Sequence, residues 1–186
     1  MNLVSKMLKI LAVVGMPGSG KSEAVQFLVK RGFHRVYFGD VIFDYMKKHN
    51  LKINERNEDY TRGELRRKHG MDVMAKLSAK KVTKALRRGN VVIESMYGTE
   101  EYLFLKKRYG KNFFVLAIFA SPKIRYARLT KRAERPLKRN QCEPRDLSEL
   151  RKTNKGGPIA LADFTIINEG TLKDLKSNIE KVMKKL

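Results

Sequence analysis

Five short apolar runs divide the chain, at 8–14, 33–38, 90–94, 112–119 and 163–168, and each has the length of a buried strand. Helical patterns lie between them. Residues 21–31 form one, with Gly32 as a stop signal just past its end. Over 71–86 the residues Met71, Met74, Leu77, Val82, Ala85 and Leu86 share an approximate helical face, again followed by a glycine, Gly89. Ser121-Pro122 is an N-cap followed by proline at the first helical position, which starts a helix over 122–133. Thr171 and Asp174 make a capping-box entry to the last helix, with Leu172, Leu175, Ile179 and Val182 as its buried stripe. Strands alternating with helices predict an α/β fold: a parallel sheet covered on both faces, in three αβα layers.

Two segments stand outside that layering. One is polar and charged, at 50–70. The other, at 134–158, contains Arg135-Pro136, Glu143-Pro144 and Gly156-Gly157-Pro158. Both follow strands, on the side where open α/β sheets bind ligands, so they are expected to be lids or binding segments of one domain spanning 1–186.

The first strand runs directly into Gly15-Met16-Pro17-Gly18-Ser19-Gly20-Lys21-Ser22, which matches G-x-x-x-x-G-K-[ST] at every fixed position. A buried strand delivers the loop, its backbone N–H groups can close around phosphates, and a helix N-terminus faces the anion. In that geometry Lys21 reaches the β- and γ-phosphates of ATP, and the Ser22 hydroxyl holds Mg²⁺.

Composition adds two constraints. The single cysteine, Cys142, excludes an internal disulfide, and no segment is long enough to cross a membrane, so a cytoplasmic protein is expected. Forty-one Lys and Arg against nineteen Asp and Glu give a net charge of +22. Residues 61–88 carry ten basic and two acidic side chains, and residues 123–155 carry twelve and four. Such clustering attracts polyanions, and it keeps RNA or a ribonucleoprotein in view as a partner.

Taken together, these residues resemble the nucleoside monophosphate kinase group of P-loop proteins, and most closely archaeal proteins related to adenylate kinase and dephospho-coenzyme A kinase. The resemblance rests on residues 15–22, Gly39-Asp40, Val91-Val92-Ile93-Glu94, the run Ser121 to Leu129 with Arg132, and Ala162-Asp163 through Asn168-Glu169-Gly170. It implies a five-stranded sheet, an acceptor-binding segment near 40–70, a lid after residue 132, and nucleotide contacts from the phosphate loop and Asn168. The chain departs from the family pattern on the acceptor side. Phe43 stands where relatives have an arginine after Gly-Asp, and Ser95-Met96-Tyr97 replaces an Asp-Gly-x-Arg type of motif.

Within this frame Asp40 is a candidate to orient Mg²⁺ or accept the proton of an attacking hydroxyl, its alternative being an N-cap. Glu94 is a candidate to hold water on Mg²⁺, against a plain strand-end carboxylate. Arg128 and Arg132, four apart on one helix face, are the candidate clamps on a transferring phosphate, with Arg135 behind them. Arg145-Asp146 resembles part of the family lid and reads equally well as an exposed ion pair, and Cys142 reads as a residue of an exposed basic segment without a role. His34, His49 and His69 have no metal-ligand spacing. Tyr97, Tyr102 and Phe104 suit core packing or a nucleobase pocket. The reading that follows is Mg²⁺-dependent transfer of the ATP γ-phosphate to a nucleotide-like small acceptor. The competing reading is a P-loop ATPase that uses ATP as a switch on RNA, or an RNA-directed kinase. The position of the 61–88 cations, lining a cleft or on an open face, separates the two.

Overall fold

The computed structural model describes residues 8–186. Its centre is a five-stranded, wholly parallel sheet in the order β2-β3-β1-β4-β5. The strands are β1 (Ile10–Val14), β2 (His34–Tyr37), β3 (Val91–Glu94), β4 (Phe113–Phe119) and β5 (Phe164–Ile167). Each falls inside its predicted apolar run. β1 is central, with Ala12 opposite Ile93 on one side and Val115 on the other.

Alternation along β1 assigns the two layers. Ile10, Ala12 and Val14 enter a core with Met46, Val73, Met74, Leu105 and Val115. Leu11 and Val13 enter the other, with Leu28, Leu116, Ile118, Leu175 and Ile179. The first face is covered by α2 (Asp40–Lys48), α4 (Val73–Leu86) and α5 (Thr99–Tyr109), the second by α1 (Lys21–Lys30) and α9 (Leu172–Met183). Because both faces of β1 are buried, it reads as a continuous hydrophobic run.

The predicted helices form, with α4 starting at Val73 rather than Met71 and the one from Pro122 ending at Lys131 rather than at 133, and the causes of several boundaries are visible. Gly32, at φ +90°, ends α1 with Phe33 N–H donating to the Leu28 carbonyl and Gly32 N–H to that of Val29. Thr171 and Asp174 exchange their capping bonds at α9. Leu172, however, overhangs the core and is half-exposed, so the buried stripe of α9 starts at Leu175. Leu77 likewise turns outward from α4.

The two segments outside the layering are helical. α3 (Glu55–His69) fills most of 50–70, with Asn54 accepting a hydrogen bond from Asn57 N–H as its N-cap. α6 (Pro122–Lys131) leads to α7 (Arg139–Thr153) and the short α8 (Gly156–Ala160). Pro144 lies inside α7, past its first turn, where it lacks the N–H that would bond to the Asn140 carbonyl. Cys142 is not exposed as expected: α7 packs on α6, and the thiol is fully buried against Tyr126 and Leu129. No described helix is long and apolar enough to cross a membrane.

Candidate active site

The loop between β1 and α1 carries three glycines in conformations that favour glycine, Gly15 (φ +145°), Gly18 (φ +77°) and Gly20 (φ +103°). Neighbouring backbone is too close for side chains there. A Cβ on Gly15 would lie 2.3 Å from the Ile118 carbonyl, and one on Gly18 would lie 2.6 Å from that of Arg125. Gly20 is pressed against Asn168, whose side-chain amide donates to the Ser19 carbonyl at 2.8 Å. Asn168, expected as a nucleotide contact, therefore braces the loop from behind. Its own N–H donates to Phe119, which ties the turn after β5 to the end of β4.

Lys21 closes the loop on itself, its ammonium donating to the Met16 carbonyl at 2.9 Å. Burial of that ammonium, with Lys155 and Arg125 nearby, pushes its pKa down to about 7. The buried Ser19 hydroxyl has no hydrogen-bond partner. A glycine cradle, an enclosed lysine and an orphaned hydroxyl fit the phosphates of a nucleotide. Ser22 and Glu94 line one recess beside α1, together with Gln26, Lys30 and Arg35. Glu94 also accepts from Arg35 Nε at 2.6 Å, a contact across neighbouring strands. Ser95, next in the chain, is held at φ +67°, the kind of backbone strain that collects at functional sites.

Arg125 is the residue that sequence reading passed over. Buried at the start of α6, it donates to the carbonyls of Ala120 and Pro17, each at 3.1 Å, and pairs bidentately with Asp146 of α7. Asp146 is thus not half of an exposed pair with Arg145. It also accepts from the Tyr126 hydroxyl at 3.0 Å. Arg145 turns the other way, to Glu149 and to Glu55 of α3.

Arg128 and Arg132 do share a face, lining an open recess of about 470 Å³ with Ile124, Ala127 and Glu169. Arg128 has one guanidinium nitrogen buried without a partner. Arg132 donates to the Arg135 carbonyl at 2.5 Å. Because Glu169 follows the bracing Asn168, this recess flanks the phosphate loop. Arg135 reaches to the acceptor segment instead, in a bidentate pair with Glu58 of α3. Asp40 is the first residue of α2 rather than its N-cap, with its carboxylate 3.8 Å from Lys81 of α4.

A second cleft, of about 380 Å³, opens between α3 and α7 and is lined by Arg62, Arg66, Met71, Tyr97, Glu149 and Lys152, among others. Arg62, Arg66 and Tyr97 also border a smaller recess with Tyr37 and Ser95. Both arginines have a buried Nε without a hydrogen-bond partner among the described residues. Burial pushes the Arg66 guanidinium pKa down, opposed by the Glu101 carboxyl. Lys155 joins this cleft to the phosphate loop. It lies 4.4 Å over the Tyr97 ring, contacts Glu149, and repels Lys21. Although burial acts to raise it, Glu149 is held below the usual carboxylate range by Lys155 and Arg145. Arg62 and Arg66 carried a readable signal, an i, i+4 pair on a polar helix, but they lay inside a run of ten cations. Lys155 carried none.

The fold and the glycine-cradled loop define a P-loop nucleotide-binding protein of kinase-like architecture. The sequence pattern of the family described as AAA domain matches residues 11–149. The chain belongs to this P-loop family and, within it, to the UPF0200 proteins. It is 33% identical over 179 residues to a UPF0200 protein of Thermococcus kodakarensis, covering 94% of this chain and 96% of the relative. It is 34% identical over 178 residues to that of Thermoplasma acidophilum, covering 94% of each. Similar solved structures include the shikimate kinase of Acinetobacter baumannii in complex with shikimate (TM-score 0.60, 18% identity, 97% and 95% coverage). The shikimate kinase of Aquifex aeolicus is another (TM-score 0.57, 21% identity, 94% and 96% coverage). These structural likenesses carry the fold.

Proposed function

We propose that this protein is an ATP-dependent phosphotransferase whose acceptor is a small nucleotide-like molecule bearing an oxyanion, bound between α3 and α7. The observation that carries this reading is the pair Arg62 and Arg66. They line an acceptor-sized cleft, and their buried Nε atoms have no hydrogen-bond partner among the described residues. The arginines missing after Gly39-Asp40 and Glu94 are thereby replaced from α3, four residues apart on one face.

The chain's own residues divide the task. Lys21 and the loop amides bind the donor phosphates, Ser22 and Glu94 serve the metal, and Arg128 and Arg132 hold the donor from the α6 side. Bound ATP with Mg²⁺ supplies the transferable phosphoryl group. Lys155, between Lys21 and Tyr97, places positive charge where donor and acceptor meet. Phosphoryl transfer needs positioning and charge neutralisation more than a strong base, which suits Asp40 being engaged with Lys81. Ion pairs Arg135–Glu58 and Arg145–Glu55 join the lid to α3 and help exclude water from the cleft.

The test is transfer of label from γ-labelled ATP with Mg²⁺ to a panel of nucleoside monophosphates, dephospho-coenzyme A, small hydroxy acids and short RNA. Label on a small acceptor is expected, absent with Lys21→Ala. With Arg66→Gln, kcat/KM for the acceptor should fall ten- to a hundredfold while ATP binding is retained. Release of label only as phosphate, or its appearance on RNA alone, overturns the reading.

A further inference from the structure

Part of the basic charge has no place in that chemistry. Lys80, Lys84 and Arg87 lie at i, i+4 and i+7 on α4, and with Thr83 and Arg108 of α5 they line an open groove of about 370 Å³. No carboxylate lines it. Among the described residues none of the four cations forms an ion pair, whereas Lys76 and Lys81 of the same helix do. The groove is also remote from the phosphate loop. Arg87 comes just before β3 starts at Val91, and Arg108 just before β4 starts at Phe113. It therefore sits toward the N-terminal edge of the parallel sheet, while Gly15, Glu94 and Ser95 are at the C-terminal edge.

We infer that this groove is a docking surface for the sugar–phosphate backbone of a nucleic acid. Helix C-termini favour cations, which accounts for basic residues at the end of each helix taken singly. It does not account for two helices delivering unpaired cations to one groove. A single small anion gains little from exposed side chains, since each such pairing contributes about 0–1 kcal/mol. A linear polyanion meets all four at once and releases its condensed counterions. From Lys80 to Arg87 the stripe covers about 10 Å of helix, long enough to meet more than one phosphate of the same strand. The concave shape disfavours a flat membrane surface. The nearby Tyr109 hydroxyl is held by the Thr83 hydroxyl and the Ala79 carbonyl. No aromatic side chain is among the described residues that line the groove, so recognition rests on the backbone and is independent of sequence.

Fluorescence anisotropy with a labelled 20-nucleotide oligouridylate tests this across a salt series, with oligothymidylate of the same length and a 20-base-pair DNA duplex as parallel probes. Four contacts predict a slope of log affinity against log salt of about −3 on single strands. The triple variant Lys80→Glu, Lys84→Glu, Arg87→Glu should lose at least tenfold in affinity and most of that slope. A matched triple on the opposite layer, Lys173→Glu, Lys176→Glu, Lys181→Glu, should change both far less. Arg108→Glu alone should reproduce part of the loss, and Lys21→Ala none of it. Circular dichroism of each variant separates loss of binding from loss of fold. The relative affinities of the three probes identify RNA, single-stranded DNA or duplex as the ligand. Absence of binding, equal losses in the two triples, or loss with Lys21→Ala would overturn the inference.

Discussion

Arg125 and Asp146 form a bidentate pair, at 3.0 and 2.6 Å, between two residues that are 4% and 6% exposed. The same guanidinium donates to Pro17, so one buried contact joins lid helix α7 to the phosphate loop. Removing one partner leaves the other charge buried. Asp146→Asn is expected to cost about 3–5 kcal/mol in urea denaturation and to weaken ATP binding. The double variant Arg125→Met, Asp146→Leu should recover much of the stability but not the nucleotide affinity, because it removes the bond from Arg125 to Pro17.

Lys21, with its pKa lowered to about 7, is largely neutral at pH 8 until phosphate oxygens surround it. Binding ATP raises the pKa again, so the complex should take up close to one proton at pH 8. Calorimetry in buffers of differing ionisation enthalpy measures this uptake directly. Affinity should fall as pH rises above 7, since binding then includes the cost of protonation.

Glu101 is fully buried and has a pKa raised to about 7 by that burial, although it accepts hydrogen bonds from the N–H groups of Tyr97 and Gly98. Between 4.5 and 7 the folded state holds this proton and the unfolded state does not. The stabilisation is therefore full below 4.5 and declines as pH rises through 7. Glu101→Gln should flatten the fall in stability from pH 5 to 7, by about 2–3 kcal/mol at most, in denaturation curves taken at each pH.

Gly20→Ala would place a methyl group 2.2 Å from the Asn168 amide at φ +103°. The bond from Asn168 to Ser19 should break, and binding of a fluorescent ATP analogue should be lost while the sheet stays folded. Asn168→Ala removes the brace without the clash, so it should weaken that binding rather than abolish it.

Glu94→Gln should weaken the dependence of ATP binding on Mg²⁺ and leave metal-free binding nearly unchanged. A titration of Mg²⁺ at fixed ATP separates the two. Equal losses with and without metal would mean that Glu94 acts only through its contact with Arg35.

The strands, the phosphate loop and the caps of α1 and α9 were legible in the linear chain because their causes are local. An apolar run between turns, a glycine where φ must be positive, and a Thr–Asp exchange over three residues all operate within a few positions. Exposed Leu172 marks where α9 begins ahead of the core it covers. Exposed Leu77, in the middle of α4 between buried Ala75 and Ser78, marks where the approximate periodicity took in a residue of the outer face. Buried Cys142 and Asp146 mark the opposite error. A polar stretch with two prolines reads as a surface loop until α6 arrives beneath it.

Residue order alone thus determined an α/β P-loop protein and the loop that holds the phosphates. What only the tertiary structure decided is the division of labour among its cations. Ten basic residues at 61–88 are equivalent in composition, yet Arg62 and Arg66 enter a cleft beside the phosphate loop while Lys80, Lys84 and Arg87 face an open groove. Arg125 finds its partner 21 residues away, and Lys155 meets Lys21 across 134 positions of chain. Charge acts through space rather than along the backbone, so these roles exist only once the sheet has ordered the helices around it.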